Sequence, residues 1–368
     1  MHAMNKMTSS YGGYLLSVLG WIGAICLFVL IRFVGLSSVP DFATLDYNSL
    51  NHSVLFGRAV AVGCVIGTIF YFISRALDRP AIRQRPYGVL IFIQTFSTLI
   101  FVALVLVILS FMDVIVGDEV FRLSGLKSRL INVNFFVILI YYTLVSFAFV
   151  LIKQINRKFG PGNLRKLVAG TYYHPLEKEL IFMFLDLKDS TTHAERLGHL
   201  QFANLIQDCF IDMTVVSKFG AHFYQYVGDE SILYWDVVEG IENANCLQAY
   251  FAFSHRLAER SEYYQSRYGL NPHFKAGVNI GTATVLEVGE IKRDIAYLGD
   301  VLNTAARIQD QCNVHGEGLL ISETMRDRLR SVPDYLDIDV IGKTELRGRA
   351  DPVQLYRVRE RPTADAFR

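Results

Sequence analysis

Four long apolar runs fill the first 152 residues of the chain. They cover residues 14–34, 54–73, 89–112 and 133–152. Each is long enough to cross a hydrocarbon core of about 30 Å as a helix. A cleavable signal peptide would account only for the first run. The pattern therefore predicts an all-α transmembrane domain of four helices over residues 1–152.

Basic residues predict the orientation of these helices. Residues 36–53, which connect the first two runs, contain no Lys or Arg, whereas the second connection contains Arg75, Arg79, Arg83 and Arg85. Lys and Arg accumulate in short cytoplasmic loops. We expect a multi-pass protein of the cell inner membrane, with its N-terminus and everything after the fourth helix in the cytoplasm.

Beyond residue 175 the pattern becomes that of a globular domain. Residues 153–175 form a connector, in which Gly160-Pro161-Gly162 should separate two short helices. The predicted elements are, in order, a strand (residues 181–186), a helix (192–219), a hairpin (221–235), a helix (241–268), a strand (273–289) and a helix (300–312). This is the order of a ferredoxin-like unit. The sequence predicts an α+β domain over residues 176–368, with helices on one face of an antiparallel sheet.

Composition narrows the possible partners. The 52% hydrophobic content is too high for one soluble domain, which supports a membrane half in contact with lipid. A net charge of +1 gives no basic surface for nucleic acid. The five cysteines have no metal-ligand spacing and are expected to be reduced thiols.

Two carboxylates stand out where predicted strands end. Asp186 closes the first strand, and Asp229 lies in the turn of the hairpin. Because these strands are neighbours in the ferredoxin-like order, the carboxylates should lie close together, with no evident Lys or Arg partner. Divalent cations would relieve their repulsion. The N–H groups of residues 187–191 lead into a helix and would suit a polyphosphate, while Asp189 should cap that helix or face solvent.

Four segments resemble the class III adenylate and guanylate cyclases, over about half of the chain. They are "FLDLKDST", "YVGDES", "GDVLNTAARIQ" and "LRGRADPVQLYRV", in the family's order. The resemblance implies a nucleotidyl cyclase that releases pyrophosphate and a 3′,5′-cyclic nucleotide for intracellular signalling. It places two Mg²⁺ or Mn²⁺ ions at Asp186, Leu187 and Asp229. It implies that, at the transition state, Asn303 orients the ribose and Arg307 stabilises the charge on the triphosphate.

The resemblance also implies a nucleotide-binding set and a homodimer. The residues of that set are Ser190, Thr191, Gln225, Gly228, Ala296 and one or both of Arg347 and Arg349. Family members place the metals on one subunit and the Asn/Arg pair on the other. This chain carries both sets once, so two copies would pair head to tail.

Three questions stay open at the level of sequence. Gln225 and Ala296 match neither the adenylate nor the guanylate pair, so ATP is the first expectation, GTP the second and a pyrimidine triphosphate the third. A diguanylate cyclase would need a Gly and a Phe where Val227 and Ser231 stand. A non-catalytic membrane receptor with a degenerate cyclase domain is the remaining alternative.

Overall fold

A computed structural model describes residues 2–36, 52–78, 85–116, 133–159, 166, 169–347 and 351–361. The chain divides into two units, Met1–Pro161 and Gly162–Arg368. We call them the N-terminal and the C-terminal unit.

The described residues of the N-terminal unit form four helices, as the apolar runs predict. They are α1 (His2–Leu36), α2 (His52–Leu77), α3 (Tyr87–Val116) and α4 (Val133–Phe159). Each contains a segment of at least 19 residues that is long and apolar enough to cross a membrane. Large apolar side chains such as Leu16, Phe92 and Ile140 point outward, as they do on surfaces that face lipid.

Trp21 of α1 lies at the centre of this unit. It is fully buried, and its ring centroid lies 5.7 Å from that of Phe70, 6.1 Å from that of Tyr142 and 5.5 Å from that of Phe149. Tilted and edge-on arrangements at these distances are the favoured geometries of aromatic pairs. The aromatic cluster therefore joins α1, α2 and α4.

Two glycines let α2 approach α1 closely. A Cβ on Gly63 would lie 2.7 Å from the Cα of Ile22, and one on Gly67 would lie 2.7 Å from the Cα of Val18. Ser17 Oγ also donates to the Gly67 carbonyl at 2.9 Å. Small residues four apart are a common basis of close helix contact in membranes.

An ion pair joins α4 to the residue that follows α2. Lys153 Nζ lies 3.0 Å and Arg157 Nη1 3.9 Å from the Asp78 carboxylate.

The α4 helix runs through Phe159, so the first seven connector residues continue the fourth predicted span. The turn predicted at Gly160-Pro161-Gly162 lies outside the described residues.

The C-terminal unit alternates strands with helices. Its elements are β1 (Leu176–Leu187), α5 (Ser190–Asp212), β2 (His222–Val227), β3 (Glu230–Asp236), α6 (Val237–Ile241), α7 (Asn245–Glu259), α8 (Ser261–Tyr268), β4 (Phe274–Val288), β5 (Asp294–Leu298), α9 (Asp300–His315), β6 (Leu319–Ser322), α10 (Glu323–Arg328), β7 (Leu336–Thr344) and β8 (Val353–Glu360). The sheet order is β2-β3-β1-β4-β6-β8-β7, with β5 paired to β4. Among the described strands, β4 and β6 are the one pair that runs in parallel. The predicted ferredoxin-like order is confirmed.

Helices cover both faces of this sheet, so the expectation of helices on one face is wrong. Alternate residues of β1 point to opposite faces. Met183 and Leu185 lie in a core with α5, α7 and α8, whereas Phe182 and Phe184 pack with Val301 of α9. The physical reason is that β1 is a central strand, buried continuously from Leu180 to Leu185, and such a strand needs cover on both sides.

Two predicted helices are broken. The first has a non-helical residue at Gly198 (φ 72°, ψ 165°) and ends at Asp212, after which a 3₁₀ turn runs to Phe219. Glycine adopts a positive φ without a Cβ clash. The second is divided at Arg260 into α7 and α8.

A glycine also sets the position of α9. A Cβ on Gly277 of β4 would lie 2.2 Å from Gln309 N and 2.5 Å from the Ala305 carbonyl oxygen. Asn279, buried on the same strand, donates from Nδ2 to the Val301 carbonyl at 3.2 Å. The backbone of α9 therefore rests directly on the sheet.

Candidate active site

The structure brings Asp186 and Asp229 together. Strands β1 and β3 are paired, with Leu185 opposite Ser231, so the end of β1 lies beside the hairpin turn. Burial raises the pKa of Asp186, and the nearby Asp229 carboxyl raises it further. Asp229 Oδ2 is buried and has no hydrogen-bond partner among the described residues. A carboxylate oxygen left in this state suits a cation.

Asp186 has a basic partner, which corrects the expectation that it lacks one. Lys275 stands directly opposite Asp186 in the β1–β4 ladder, and its Nζ lies 3.1 Å from Asp186 Oδ2. The Lys275 residue is only 9% exposed. The strand register, which the sequence does not specify, creates this contact. A lysine inside the apolar segment "HFKAGVNIG" was the signal that could have indicated it.

Two further residues at this site were missed. Gln309 of α9, which is buried, donates from Nε2 to Asp186 Oδ2 at 3.3 Å. Glu230 follows Asp229 directly, and burial, with help from the Asp186 and Asp229 charges, raises its pKa to about 7. The repeated acidic letters of "GDE" were a visible sign of Glu230, whereas Gln309 resembled an ordinary helix position.

The segment after β1 lines a cavity of about 1050 Å³. Ser190 and Thr191 border it together with Asp186 and Lys275. Asp189 is exposed to solvent, as one of its two predicted roles requires. The other prediction, helix capping, is wrong. Asp189 occupies the N-cap position of α5 with a left-handed backbone (φ 56°), and its side chain makes no cap hydrogen bond. Such a backbone turns the side chain away from the helix N–H groups.

Asn303 and Arg307 lie on α9 and do not reach the carboxylates of their own chain. Asn303 is exposed. Arg307 is half-buried, and its Nη1 is buried without a hydrogen-bond partner in the part of the chain that the structure describes. Within that part, neither side chain bonds to Asp186 or Asp229. The opposite side of the helix carries Gln309, which faces Asp186.

The positions expected to recognise the base lie on two strands in contact. Gln225 is exposed on β2, next to a bulge, and Ala296 is half-buried on β5. Their neighbours Tyr224 and Tyr297 pack with ring centroids 4.8 Å apart.

The remaining residues predicted to contact the nucleotide are Gly228, Arg347 and Arg349. Gly228 forms the tight hairpin turn with a φ of 63°. Arg347 is exposed, and Arg349 lies outside the described residues.

The donor set favours a hard divalent cation. No group of three His, Cys, Asp or Glu residues able to hold a metal occurs within the described ranges. Mg²⁺ is commonly bound by one or two carboxylates and takes its other ligands from water and substrate phosphates. Asp186 and the partnerless Asp229 Oδ2 fit that requirement.

The match to a known family covers this whole arrangement. The family model "Adenylate and Guanylate cyclase catalytic domain" matches residues 172–360, more than half of the chain. The chain belongs to the adenylate and guanylate cyclase family. The four quoted segments of the chain all fall within the match, and the match favours this family over the diguanylate cyclases.

Curated relatives carry adenylate cyclase names, and a solved structure shows the same fold. The chain is 29% identical over 231 residues to "Adenylate cyclase 2" of Rhizobium meliloti (strain 1021), covering 62% of each chain. It is 24% identical over 216 residues to "Adenylate cyclase" of Anabaena cylindrica, covering 55% of this chain and 42% of that one. The chain thus spans less than two thirds of the length of either relative. A bacterial light-regulated adenylyl cyclase shares its fold, with a TM-score of 0.50, 16% identity and coverage of 60% of this chain and 65% of that one.

Proposed function

We propose that this chain converts ATP to 3′,5′-cyclic AMP and pyrophosphate, with two Mg²⁺ or Mn²⁺ ions at each site of a homodimer. The observation that carries the proposal is a pair of buried atoms that have no hydrogen-bond partner among the described residues, Asp229 Oδ2 and Arg307 Nη1. One is an acceptor that suits a cation, and the other is a donor that suits a phosphate oxygen. The names of the curated relatives support ATP as the substrate.

The metal-binding role falls to three groups on one chain. Asp186 and Asp229 supply carboxylate oxygens, and Leu187 supplies its backbone carbonyl. The N–H groups at the start of α5 and the hydroxyls of Ser190 and Thr191 border the cavity and would hold the phosphates. When bound, the ions supply Lewis acidity to the 3′-hydroxyl and neutralise phosphate charge.

The second chain supplies the groups that act on the reacting atoms. Arg307 offers a planar fork of N–H donors to the charge that develops on the α-phosphate. Asn303 orients the ribose so that the 3′-oxygen lies in line with the phosphorus. Arg347, with Arg349, would bind phosphate. Because α9 turns Asn303 and Arg307 away from the carboxylates of their own chain, a second copy placed head to tail completes each site.

Base selection is expected to be weak. Gln225 can donate and accept, so it fits several base edges, while Ala296 offers no hydrogen-bonding group. GTP is therefore the second candidate substrate, ahead of the pyrimidine triphosphates. Discrimination against a wrong base is strongest where the site has buried polar groups that such a base leaves unpaired, and neither position has one.

The N-terminal unit would hold this enzyme in the cell inner membrane. Its four apolar helices suit a multi-pass anchor in contact with lipid. The basic second connection and the Lys153 and Arg157 side chains favour a cytoplasmic N-terminus and catalytic domain.

The test is cyclic nucleotide formation by membranes that contain the full chain. ATP, GTP, CTP and UTP are each supplied with Mg²⁺ or Mn²⁺, and the products are identified by mass spectrometry. We expect cyclic AMP and pyrophosphate in equal amounts. Asp229→Asn should abolish product, whereas Asp189→Asn, a matched change at an exposed position, should retain most of it.

Two results would contradict this proposal. Folded, dimeric protein that gives no product from any of the four nucleotides would favour the non-catalytic receptor. Full activity in Asp229→Asn would remove that carboxylate from the site.

A further inference from the structure

Gln309 stands between two parts of the proposed machinery. It lies on the same helix as Asn303 and Arg307, two residues after the arginine. At 3.6 residues per turn, two residues correspond to roughly 200° around the helix. Gln309 therefore points to the side opposite Arg307, where its Nε2 donates to Asp186 Oδ2 at 3.3 Å.

The close packing of α9 on β4 makes this contact possible. The backbone of Gln309 lies where a Cβ of residue 277 would be, since N and Cα of Gln309 would be 2.2 and 2.7 Å from that atom. Gln309 itself is 3% exposed. A buried amide fixed at its backbone loses little further entropy when it holds a carboxylate.

Gln309 and Lys275 both contact the same oxygen of the Asp186 carboxylate. Oδ2 accepts from both Gln309 Nε2 and Lys275 Nζ. A carboxylate held through one oxygen cannot turn freely about its Cβ–Cγ bond, so the direction of the other oxygen is fixed too. Replacing a group that holds a metal ligand in this way typically costs about 10–100-fold in metal affinity or activity.

We infer that Gln309 is a positioning residue for the metal-binding carboxylate of its own chain, while the opposite side of the same helix serves the other site of the dimer. The inference rests on the proposed function. Each α9 would then contact both composite sites: its Gln309 holds Asp186 at one, and its Asn303 and Arg307 act at the other. Gln309 does not touch substrate in this arrangement.

The first test measures metal binding without turnover. Mn²⁺ alone is titrated into the full chain in detergent, and free Mn²⁺ is followed by electron paramagnetic resonance. Gln309→Met keeps the length of the side chain and removes the donor, so we expect Mn²⁺ affinity to fall about tenfold or more. Gln311→Met, the same change two residues along α9, should leave affinity within about twofold of the wild type.

A second variant guards against a folding defect in the first. Gln309→Asn keeps the amide but shortens the side chain by one methylene group, so its donor falls short of Asp186 Oδ2 and Mn²⁺ binding should also weaken. Wild-type affinity in both variants would overturn the inference. If Asp186→Ala alone left Mn²⁺ binding unchanged, the metal site of the proposed function would instead be wrong.

A mixed dimer separates positioning from simple helix packing. One chain carries Arg307→Ala, the other carries Asp186→Ala, and two affinity tags select dimers that contain both. One working site remains, formed by Asp186 of the first chain and Arg307 of the second. Gln309→Met is then added to either chain.

The two placements give opposite expectations. In the first chain the substitution lies beside the working Asp186, and we expect activity to fall about tenfold, with a higher Mn²⁺ concentration needed for half-maximal rate. In the second chain it lies beside the alanine, and activity should stay within about twofold. An equal loss in both placements would mean that Gln309 only packs the helix, and the inference would be wrong.

Discussion

The two units of the chain each use a pair of glycines four residues apart, with different results. In α2, Gly63 and Gly67 share a helix face, and both meet the backbone of α1. In β4, Gly277 and Gly281 share a sheet face because strand side chains alternate. There Gly277 meets the backbone of α9, whereas a Cβ on Gly281 would meet only the Val301 side chain, at 3.3 Å.

The α1–α2 and β4–α9 backbone contacts have different effects. Between membrane helices, packing of the two backbones is itself the main source of association, because lipid is as apolar as the helix surface. In the C-terminal unit the core already supplies burial on both faces of the sheet. The contact at Gly277 instead sets the height of α9, and thereby brings Gln309 to Asp186.

The largest effect is expected from Gly277→Ala. The added methyl group would overlap backbone atoms of α9, which no side-chain rotation relieves. We expect the free energy of unfolding to fall by about 3 kcal/mol, at the upper end of overpacking costs. Chemical denaturation of the full chain, followed by circular dichroism, measures this. Cyclic nucleotide formation should be lost as well, and a variant that retains both would show that α9 can move without consequence.

A smaller effect is expected from Gly63→Ala or Gly67→Ala in α2. Each methyl group would force the backbones of α1 and α2 apart, at a cost of about 1–3 kcal/mol. The thermal midpoint of the detergent-solubilised chain should fall. Gly57→Ala, in the same helix but with no described atom within 4 Å of its Cβ position, is the matched control and should not lower the midpoint. Equal midpoints for all three would remove the close contact as a source of stability.

The smallest effect is expected from Gly281→Ala. Val301 can shift by a few tenths of an ångström, and an alanine gains about 0.5–1 kcal/mol over glycine in a strand. The net change in the free energy of unfolding should stay below about 1 kcal/mol, with cyclic nucleotide formation retained. A loss as large as that of Gly277→Ala would mean that both glycines of β4 set the position of α9.

The sequence predicted elements better than it predicted their contacts. The four apolar runs specify their helices, since only a helix satisfies the backbone within lipid. The strand ends at Asp186 and Asp229 were placed correctly because the order of elements fixes their neighbourhood. The apolar run in β1 also indicates burial on both faces, in contrast to the prediction of helices on one face only.

Lys275 and Gln309 could not be found in this way. Lys275 reaches Asp186 through the register of β1 with β4, and Gln309 reaches it through the depth at which α9 packs. A one-residue change of register would point Lys275 to the other face. Such contacts depend on packing between elements far apart in the chain, which no local pattern of residues encodes.

The chain has two tryptophans, and each lies fully buried in a different unit. Trp235 Nε1 donates to the Phe219 carbonyl at 2.9 Å, whereas Trp21 Nε1 has no partner among the described residues. Tryptophan fluorescence therefore has one emitter in each half of the molecule, in two different polar surroundings. Replacing either tryptophan with phenylalanine would leave a spectrum that reports on a single unit, so that the melting of the membrane helices and of the cyclase domain can be recorded separately in one intact chain.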